Sequence, residues 1–170
     1  GGDVPVLGFG SLPCKGESPW QHLNGAKGPE TAAKIDEHIK EWHLIWAGWV
    51  VVAEDIIRKG GYIALEWPSG CGYWKYQCVL DFIVKQNLGR VTLHGCAYGL
   101  KSIDPKTLGV PIKKPWTIAT NSRVLVRALP RLCTKDHTHA PCAGKNTRMT
   151  EDYTDGLVQT IHQAWALQVL

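Results

Sequence analysis

A short apolar run that ends at a Pro-Cys dipeptide lies near the start of this chain, Val6-Leu7-Gly8-Phe9-Gly10-Ser11-Leu12-Pro13-Cys14. The run from Val4 to Phe9 has the length and β-branched content of a buried strand, and its glycines and the proline exclude a helix. We therefore expect Cys14 on a loop at the carboxyl end of a strand, the edge where open α/β sheets bind ligands. The alternative is a buried or half-buried structural cysteine.

Strands and helices alternate along the rest of the chain. Apolar residues three and four apart predict one long amphipathic helix from Pro29 to about Lys59, where Gly60-Gly61 ends it. Further helices are predicted over residues 74–86, 122–129 and 153–168, and further strands over residues 62–67, 90–94 and 116–120. This alternation predicts a single α/β domain over residues 1–170 with a doubly wound, mainly parallel, Rossmann-like sheet.

The charge of the chain permits a polyanionic partner without requiring one. Its 170 residues carry a net charge of +4, from 19 Lys and Arg against 15 Asp and Glu. The basic residues cluster mildly over residues 101–114 and 123–131, which favours nucleic acid. The longest apolar stretch, Leu44–Ala53, is too short to cross a bilayer, so we expect no membrane partner.

The six cysteines, with no signal peptide before them, are typical of reduced thiols, some of them bound to metal. We therefore expect an intracellular, reducing location, either the nucleus or the cytoplasm. The chain starts with Gly1-Gly2-Asp3 directly before a strand and has no initiator Met. That start leads us to expect a segment of a larger protein or polyprotein.

Reactive residues follow two of the predicted strands. We expect the strands that end at Phe9, Glu66 and His94 to lie parallel and adjacent, so that Cys14 and Glu66 face one cleft. A thiol nucleophile with a carboxyl partner is a plausible pair for covalent catalysis.

Three motifs in this order resemble those of DNA cytosine-5 methyltransferases. Gly10–Cys14 resembles the Pro-Cys motif that carries the family's nucleophile, and Leu65–Pro68 resembles its Glu-Asn-Val or Glu-Asn-Pro strand end. Cys96–Leu100, followed after an insertion by Val110–Ile118, is similar to the family's Ala-Asp-Tyr-Gly-Val-Pro-Gln-x-Arg-x-Arg segment. The resemblance covers a methyltransferase-like core over residues 4–121, and the later segments look closer to phage and mobile-element members.

The resemblance implies roles for three residues. Cys14 would be the nucleophile toward a flipped cytosine, and Glu66 would read the base edge. Lys114 falls where the first Arg of the Arg-x-Arg pair would be, and Trp116 replaces the second. The implied partner is DNA in preference to RNA.

The resemblance also implies S-adenosylmethionine as methyl donor. The family's Gly-rich donor loop has no counterpart here, so we expect this cofactor only if another segment or chain completes the site. Two alternatives stay open. In the first, the chain is a non-catalytic module that retains the fold to bind nucleic acid or protein. In the second, it is a structural domain in which Cys14 is incidental.

A Cys/His loop over residues 130–150 carries four residues of the metal-ligating type, Cys133, His137, His139 and Cys142. Tetrahedral zinc accepts Cys and His readily, and four protein ligands would make the site structural. The alternatives are a solvated loop with two surface histidines, or a disulfide between Cys133 and Cys142.

Tryptophans supply most of the aromatic mass, with eight Trp against two Phe. The helical spacing of Trp42, Trp46 and Trp49 predicts that they lie in the core. Trp20, Trp67 and Trp74 flank the proposed edge, where they either stack on a base or belong to the core. His22 and His94 are left out of the expected catalytic set, because a lone His is more often a satisfied hydrogen-bonding group.

Overall fold

The computed structural model describes residues 5–19, 21 and 28–170. Val4, Trp20 and His22 therefore lie outside the described residues. The chain forms two compact units, which we call the first unit (Gly1–Arg90 and Ile118–Ser122) and the second unit (Val91–Thr117 and Arg123–Leu170). None of the described helices is long and apolar enough to cross a membrane.

The described strands form one open, mixed sheet in an α/β fold. They are β1 (Leu7–Gly10), β2 (Tyr62–Pro68), β3 (Gly89–His94) and β4 (Pro115–Thr120). The order across the sheet is β1-β2-β4-β3, and β1 pairs with β2 in parallel. The predicted strands are confirmed, and so is the parallel pair.

The expectation that the strand ending at His94 neighbours the strand ending at Glu66 is wrong, because β4 lies next to β2 instead. Side chains at the end of β4 fasten it to the start of β2. The Thr120 hydroxyl donates to the Ile63 carbonyl at 2.6 Å, and the Asn121 side-chain oxygen accepts from the Ile63 N–H at 2.8 Å. A strand held this way occupies the hydrogen-bonding edge of β2.

The helix that connects the parallel strands is α1 (Pro29–Arg58), which confirms the predicted helix. Pro29 and Glu30 suit its first turn, because the ring has no N–H to leave unsatisfied and the carboxylate complements the helix dipole. Gly60 follows its end at φ 79°, a left-handed conformation that glycine adopts without strain.

Two glycines of β1 allow α1 to pack closely on the sheet. A Cβ at Gly8 would lie 2.6 Å from Ile56 Cδ1, and a Cβ at Gly10 would lie 2.7 Å from the Trp49 ring. Both distances are shorter than real carbon contacts, so a side chain at either position would force a neighbour to move. Ile56 Cδ1 is the end of a flexible side chain, whereas the Trp49 ring is rigid, so the demand for glycine is stronger at Gly10. The Gly8-Phe9-Gly10 sequence therefore serves helix packing.

Aromatic side chains fill the core of the first unit. Trp42 stacks on Tyr73 with ring centroids 4.0 Å apart, and Trp46 and Trp49 also contact this core, as predicted. Trp67 is 1% exposed and Trp74 is 4% exposed. The core alternative therefore holds for these last two tryptophans, which are too buried to stack on a base.

The helix predicted over residues 74–86 is two elements. A 3-10 turn covers Gly72–Lys75, and α2 covers Gln77–Lys85. Tyr76 between them is extended, at φ −68° and ψ 135°, and its hydroxyl donates to Glu17 Oε1 at 2.9 Å.

The second unit contains three described helices, α3 (Arg123–Ala128), α4 (Lys145–Met149) and α5 (Asp155–Gln168). The short α4 was not predicted, since five residues show no clear periodicity. Thr154 caps α5 by accepting the Leu157 N–H at 3.2 Å. Gly156 brings α5 near the turn after β3, because a Cβ there would lie 3.0 Å from the Tyr98 carbonyl oxygen.

Candidate catalytic edge and metal centre

The parallel register of β1 and β2 brings Ser11 and Glu66 together. Gly10 pairs with Leu65, so the next residue on each strand lies at the shared carboxyl edge. The Ser11 hydroxyl donates to Glu66 Oε2 at 3.4 Å, and Glu66 is 4% exposed. This carboxyl group is therefore held in place at the edge where the sequence predicted it.

Hydrogen bonds hold the loop that carries Cys14. The Trp67 indole N–H donates to the Leu12 carbonyl at 2.8 Å, which keeps the chain beside β2 after β1 ends. The Cys14 carbonyl accepts from the Glu17 N–H at 3.1 Å and closes a turn. Cys14 itself is half-buried and packs against the aromatic core.

A second thiol, Cys71, lies near both expected catalytic groups. It is 2% exposed, and burial raises its pKa to about 12, with a further rise from the acidic groups of Cys14, Glu17 and Glu66. All three groups are therefore close enough to act on this thiol electrostatically. Sequence reasoning missed Cys71, although its position just after the strand end at Pro68 was a usable signal.

A small cavity of about 80 Å³ lies beside the Cys14 loop in the first unit. Pro13 and Lys15 contribute to its lining, together with His38 and Glu41 of α1. Sites for small organic ligands usually measure about 300–1,000 Å³. The cavity is therefore large enough for a few water molecules only.

Lys114 belongs to the second unit, whereas Cys14 and Glu66 belong to the first. Its ammonium group donates to the Thr150 carbonyl and lies 5.7 Å from the centroid of the Trp116 ring. Both contacts anchor the side chain within the second unit.

Four potential metal ligands converge in the second unit. Ligand atoms of Cys96, Cys133, His137 and His139 all lie within 4.8 Å of one another, so this Cys/His group could hold a metal ion. Cys133 Sγ is 3.6 Å from His137 Nε2 and 3.3 Å from His139 Nε2. Three of these residues are those predicted from the sequence.

The fourth predicted ligand, Cys142, is not part of this group. Its sulfur lies 3.2 Å from Thr150 Oγ1, and the Cys133 and Cys142 thiols are both free, so the disulfide alternative is not formed. Hydrogen bonds turn the chain away after His139. Ala140 donates its N–H to the Pro111 carbonyl at 2.8 Å, which fixes the backbone just before Cys142.

Cys96 takes part instead because the turn after β3 is fastened to the Cys/His loop. The His94 N–H donates to the Arg131 carbonyl at 2.9 Å, and the Cys133 N–H donates to His94 Nδ1 at 2.9 Å. Cys96 follows His94 by two residues on a 3-10 turn. The only sequence signal for this ligand was the cysteine itself, in a segment read as a methyltransferase motif.

Surrounding polar groups orient the ligands. Asp136 Oδ1 is 2.7 Å from His137 Nδ1, which leaves the Nε2 of that ring facing the group. Hydrogen bonds from Thr134 and then from His137 lower the pKa of the Asp136 carboxyl. Burial raises the pKa of the Cys96 thiol, and the adjacent Cys133 raises it further. A bound cation would reverse this effect by stabilising both thiolates.

Comparisons with protein-family models, curated proteins and solved structures found no match for this chain. The assignment of the two candidate sites therefore rests on the positions of their residues in the structure. One is the edge formed by Ser11, Glu66 and the Cys14 loop in the first unit, and the other is the Cys/His group in the second.

Proposed function

We propose that the first unit acts as the catalytic half of a DNA cytosine-5 methyltransferase-like protein, with Cys14 as nucleophile toward a flipped cytosine. The observation that supports it is the β1–β2 register, which puts Glu66 and the Cys14 loop at one edge. The same proposal includes the doubly wound, Rossmann-like arrangement of the sheet. It also includes the similarity to mobile-element members of the family that the resemblance implies. Lys114, the third residue that the resemblance implies, belongs to the second unit and stays a prediction from the resemblance alone.

The residues present support chemistry that needs no methyl donor. The Cys14 thiolate would add to C6 of cytosine, and the electron pair of the C5–C6 double bond would shift toward C5. The Glu66 carboxyl would hydrogen-bond N3 and the exocyclic amine. A proton from water then adds at C5, the original proton leaves, and expulsion of the thiolate restores the double bond. The net result is exchange of the C5 hydrogen with solvent.

The described residues do not fit S-adenosylmethionine. Both Gly-x-Gly sequences among them are filled by side chains, because a Cβ at Gly10 would meet Trp49 at 2.7 Å and a Cβ at Gly70 would meet Pro19 at 3.0 Å. A donor loop needs its glycines open to the ligand. The chemistry proposed for these residues therefore involves no methyl donor.

Hydrogen exchange at C5 tests the proposal directly. Single-stranded DNA, whose bases need least energy to unstack, would be incubated with the protein in D₂O and analysed by mass spectrometry. We expect deuterium at cytosine C5 with the wild type and with Cys78→Ala, an exposed-thiol control, and loss of exchange with Cys14→Ala. Exchange that survives Cys14→Ala would refute the nucleophile. DNA binding without exchange in the wild type would favour the non-catalytic module.

We also propose that the metal of the Cys/His group is zinc. Zn–S bonds of about 2.3 Å and Zn–N bonds of about 2.0–2.1 Å place sulfur and nitrogen about 3.6 Å apart at tetrahedral angles. The distances from Cys133 Sγ to the two histidine nitrogens, 3.6 and 3.3 Å, are close to this value. Four protein ligands leave no open position, so the zinc would be structural. Cys96 and Cys133 form no disulfide, which suits the expected reducing compartment, the nucleus or the cytoplasm.

Elemental analysis separates the two possible ligand sets. We expect about one zinc ion per chain in protein purified without chelator, retained by Cys142→Ala and lost by Cys96→Ala. Cobalt substitution would add a readout of thiolate ligation in the absorption spectrum. Zinc retained by Cys96→Ala and lost by Cys142→Ala would show that the set predicted from the sequence binds the metal instead.

A further inference from the structure

Positive charge is concentrated in the second unit. It has ten Lys and Arg against five Asp and Glu, a net charge of +5, while the first unit has nine against ten, a net charge of −1. In the first unit Arg58 and Lys59 pair with Asp55, and Lys85 pairs with Glu54. In the second unit, no Lys or Arg forms an ion pair with another described residue.

Three of these unpaired cations lie beside the Cys/His group. The Lys113 carbonyl accepts from the Gly95 N–H at 2.7 Å, directly before the first cysteine ligand. The Arg131 carbonyl accepts from the His94 N–H at 2.9 Å. Lys135 donates its backbone N–H to a ligand sulfur at 3.3 Å. All three side chains are exposed, so their charges are available to a partner.

Little negative charge opposes them locally. Two thiolates would neutralise a zinc ion, and the two histidine ligands are neutral when they bind metal. Residues 130–150 contain one acidic residue, Asp136, against four basic ones, Arg131, Lys135, Lys145 and Arg148. The Arg131 guanidinium is also pre-oriented, because it lies 5.0 Å from the centroid of the Tyr98 ring. The Cys/His loop and the neighbouring Lys113 therefore carry a net positive charge around the Cys/His group.

We propose that Lys113, Arg131 and Lys135 bind the phosphate backbone of a nucleic acid. Unpaired, exposed cations gathered beside one Cys/His group suit a partner with regularly spaced negative charges, and Lys and Arg supply the sequence-independent part of such binding. This inference deepens the proposed function, on which the choice of nucleic acid rests. The phosphate contacts act whether or not Cys14 reacts.

Salt-dependent binding of fluorescent oligonucleotides tests the surface. Anisotropy titrations would use duplex DNA, single-stranded DNA and RNA of equal length, with the zinc-loaded full chain carrying Cys14→Ala. This background lets binding succeed or fail independently of catalysis. The test variant is Lys113→Gln/Arg131→Gln/Lys135→Gln. The matched control, Lys34→Gln/Lys40→Gln/Lys75→Gln, removes the same charge from exposed lysines of the first unit.

Loss of three contacts to duplex DNA should reduce the slope of log affinity against log salt by about 2.7, and for single strands by about 2.1. Over a fourfold rise in salt, wild-type affinity for duplex would thus fall about 40-fold more than that of the test variant. The control should keep the wild-type slope. The single variants Lys113→Gln and Lys135→Gln should each give part of the effect, which guards against misfolding of the triple variant.

Three outcomes would overturn the proposal. They are no binding of any oligonucleotide by the wild type, equal slope changes in the test and control variants, and competition by poly-glutamate as effective as that by DNA of equal charge. Preference among the DNA and RNA arms would identify which nucleic acid supplies the phosphates.

Discussion

The close packing of α1 on β1 predicts opposite effects for two Gly→Ala substitutions. A Cβ at Gly10 would lie 2.7, 2.8 and 2.9 Å from three atoms of the Trp49 ring. Carbon atoms normally approach to about 3.5–4.0 Å, so the indole or the strand must move by the difference. The ring packs against the core, which resists that movement. We expect Gly10→Ala to lower the free energy of unfolding by about 1–3 kcal/mol, the usual cost of overpacking.

Gly48→Ala is the matched control. Gly48 lies within α1, and apart from its chain neighbours and the adjacent helix backbone, no atom of the described residues would lie within 4 Å of a Cβ there. Alanine in a helix interior is more stable than glycine by about 0.5–1 kcal/mol, because glycine loses more backbone entropy on folding. The same chemical change should therefore raise the free energy of unfolding at this position.

Urea denaturation, followed by tryptophan fluorescence and circular dichroism, measures both variants. The midpoint should fall for Gly10→Ala and rise for Gly48→Ala, with unchanged dependence on urea concentration. A Gly10→Ala protein as stable as the wild type would refute the packing of α1 on β1.

Three further predictions concern single residues. At pH 8 a Cys71 thiol with a pKa of about 12 has a thiolate fraction of about 10⁻⁴. Iodoacetamide should therefore alkylate the exposed Cys78 of the native protein and not Cys71. Equal labelling of the two thiols, measured by mass spectrometry, would contradict the burial of Cys71. Asn121→Ala leaves the Ile63 N–H without its acceptor and should lower the free energy of unfolding, measured by urea denaturation, by about 1–3 kcal/mol. Asn121→Asp keeps an acceptor oxygen and should lower it less. Thr154→Ala removes the cap of α5 and should cost about 1 kcal/mol, while Thr154→Ser should be near neutral; equal loss in both would argue against the cap.

Local patterns were enough to predict most elements. The three-and-four spacing of apolar residues predicted α1 to within one residue of its observed end at Arg58, and short apolar runs predicted all four described strands. The same patterns failed at Tyr76, which is extended within the predicted helix and whose hydroxyl binds Glu17, 59 residues away. Information about such a contact is not contained in the neighbouring residues.

Apolar runs and the residues after them predicted that Glu66 and the Cys14 loop follow strand ends, so that they share an edge once β1 and β2 pair in parallel. The residue types and close grouping of Cys133, His137 and His139 also predicted them as metal ligands, and these three belong to the observed Cys/His group. The position of β4 next to β2, and the presence of Cys96 in place of Cys142 in that group, were visible in the folded chain alone. Spacing along the chain governs local geometry, whereas strand order and a ligand 37 residues from Cys133 depend on hydrogen bonds between distant segments.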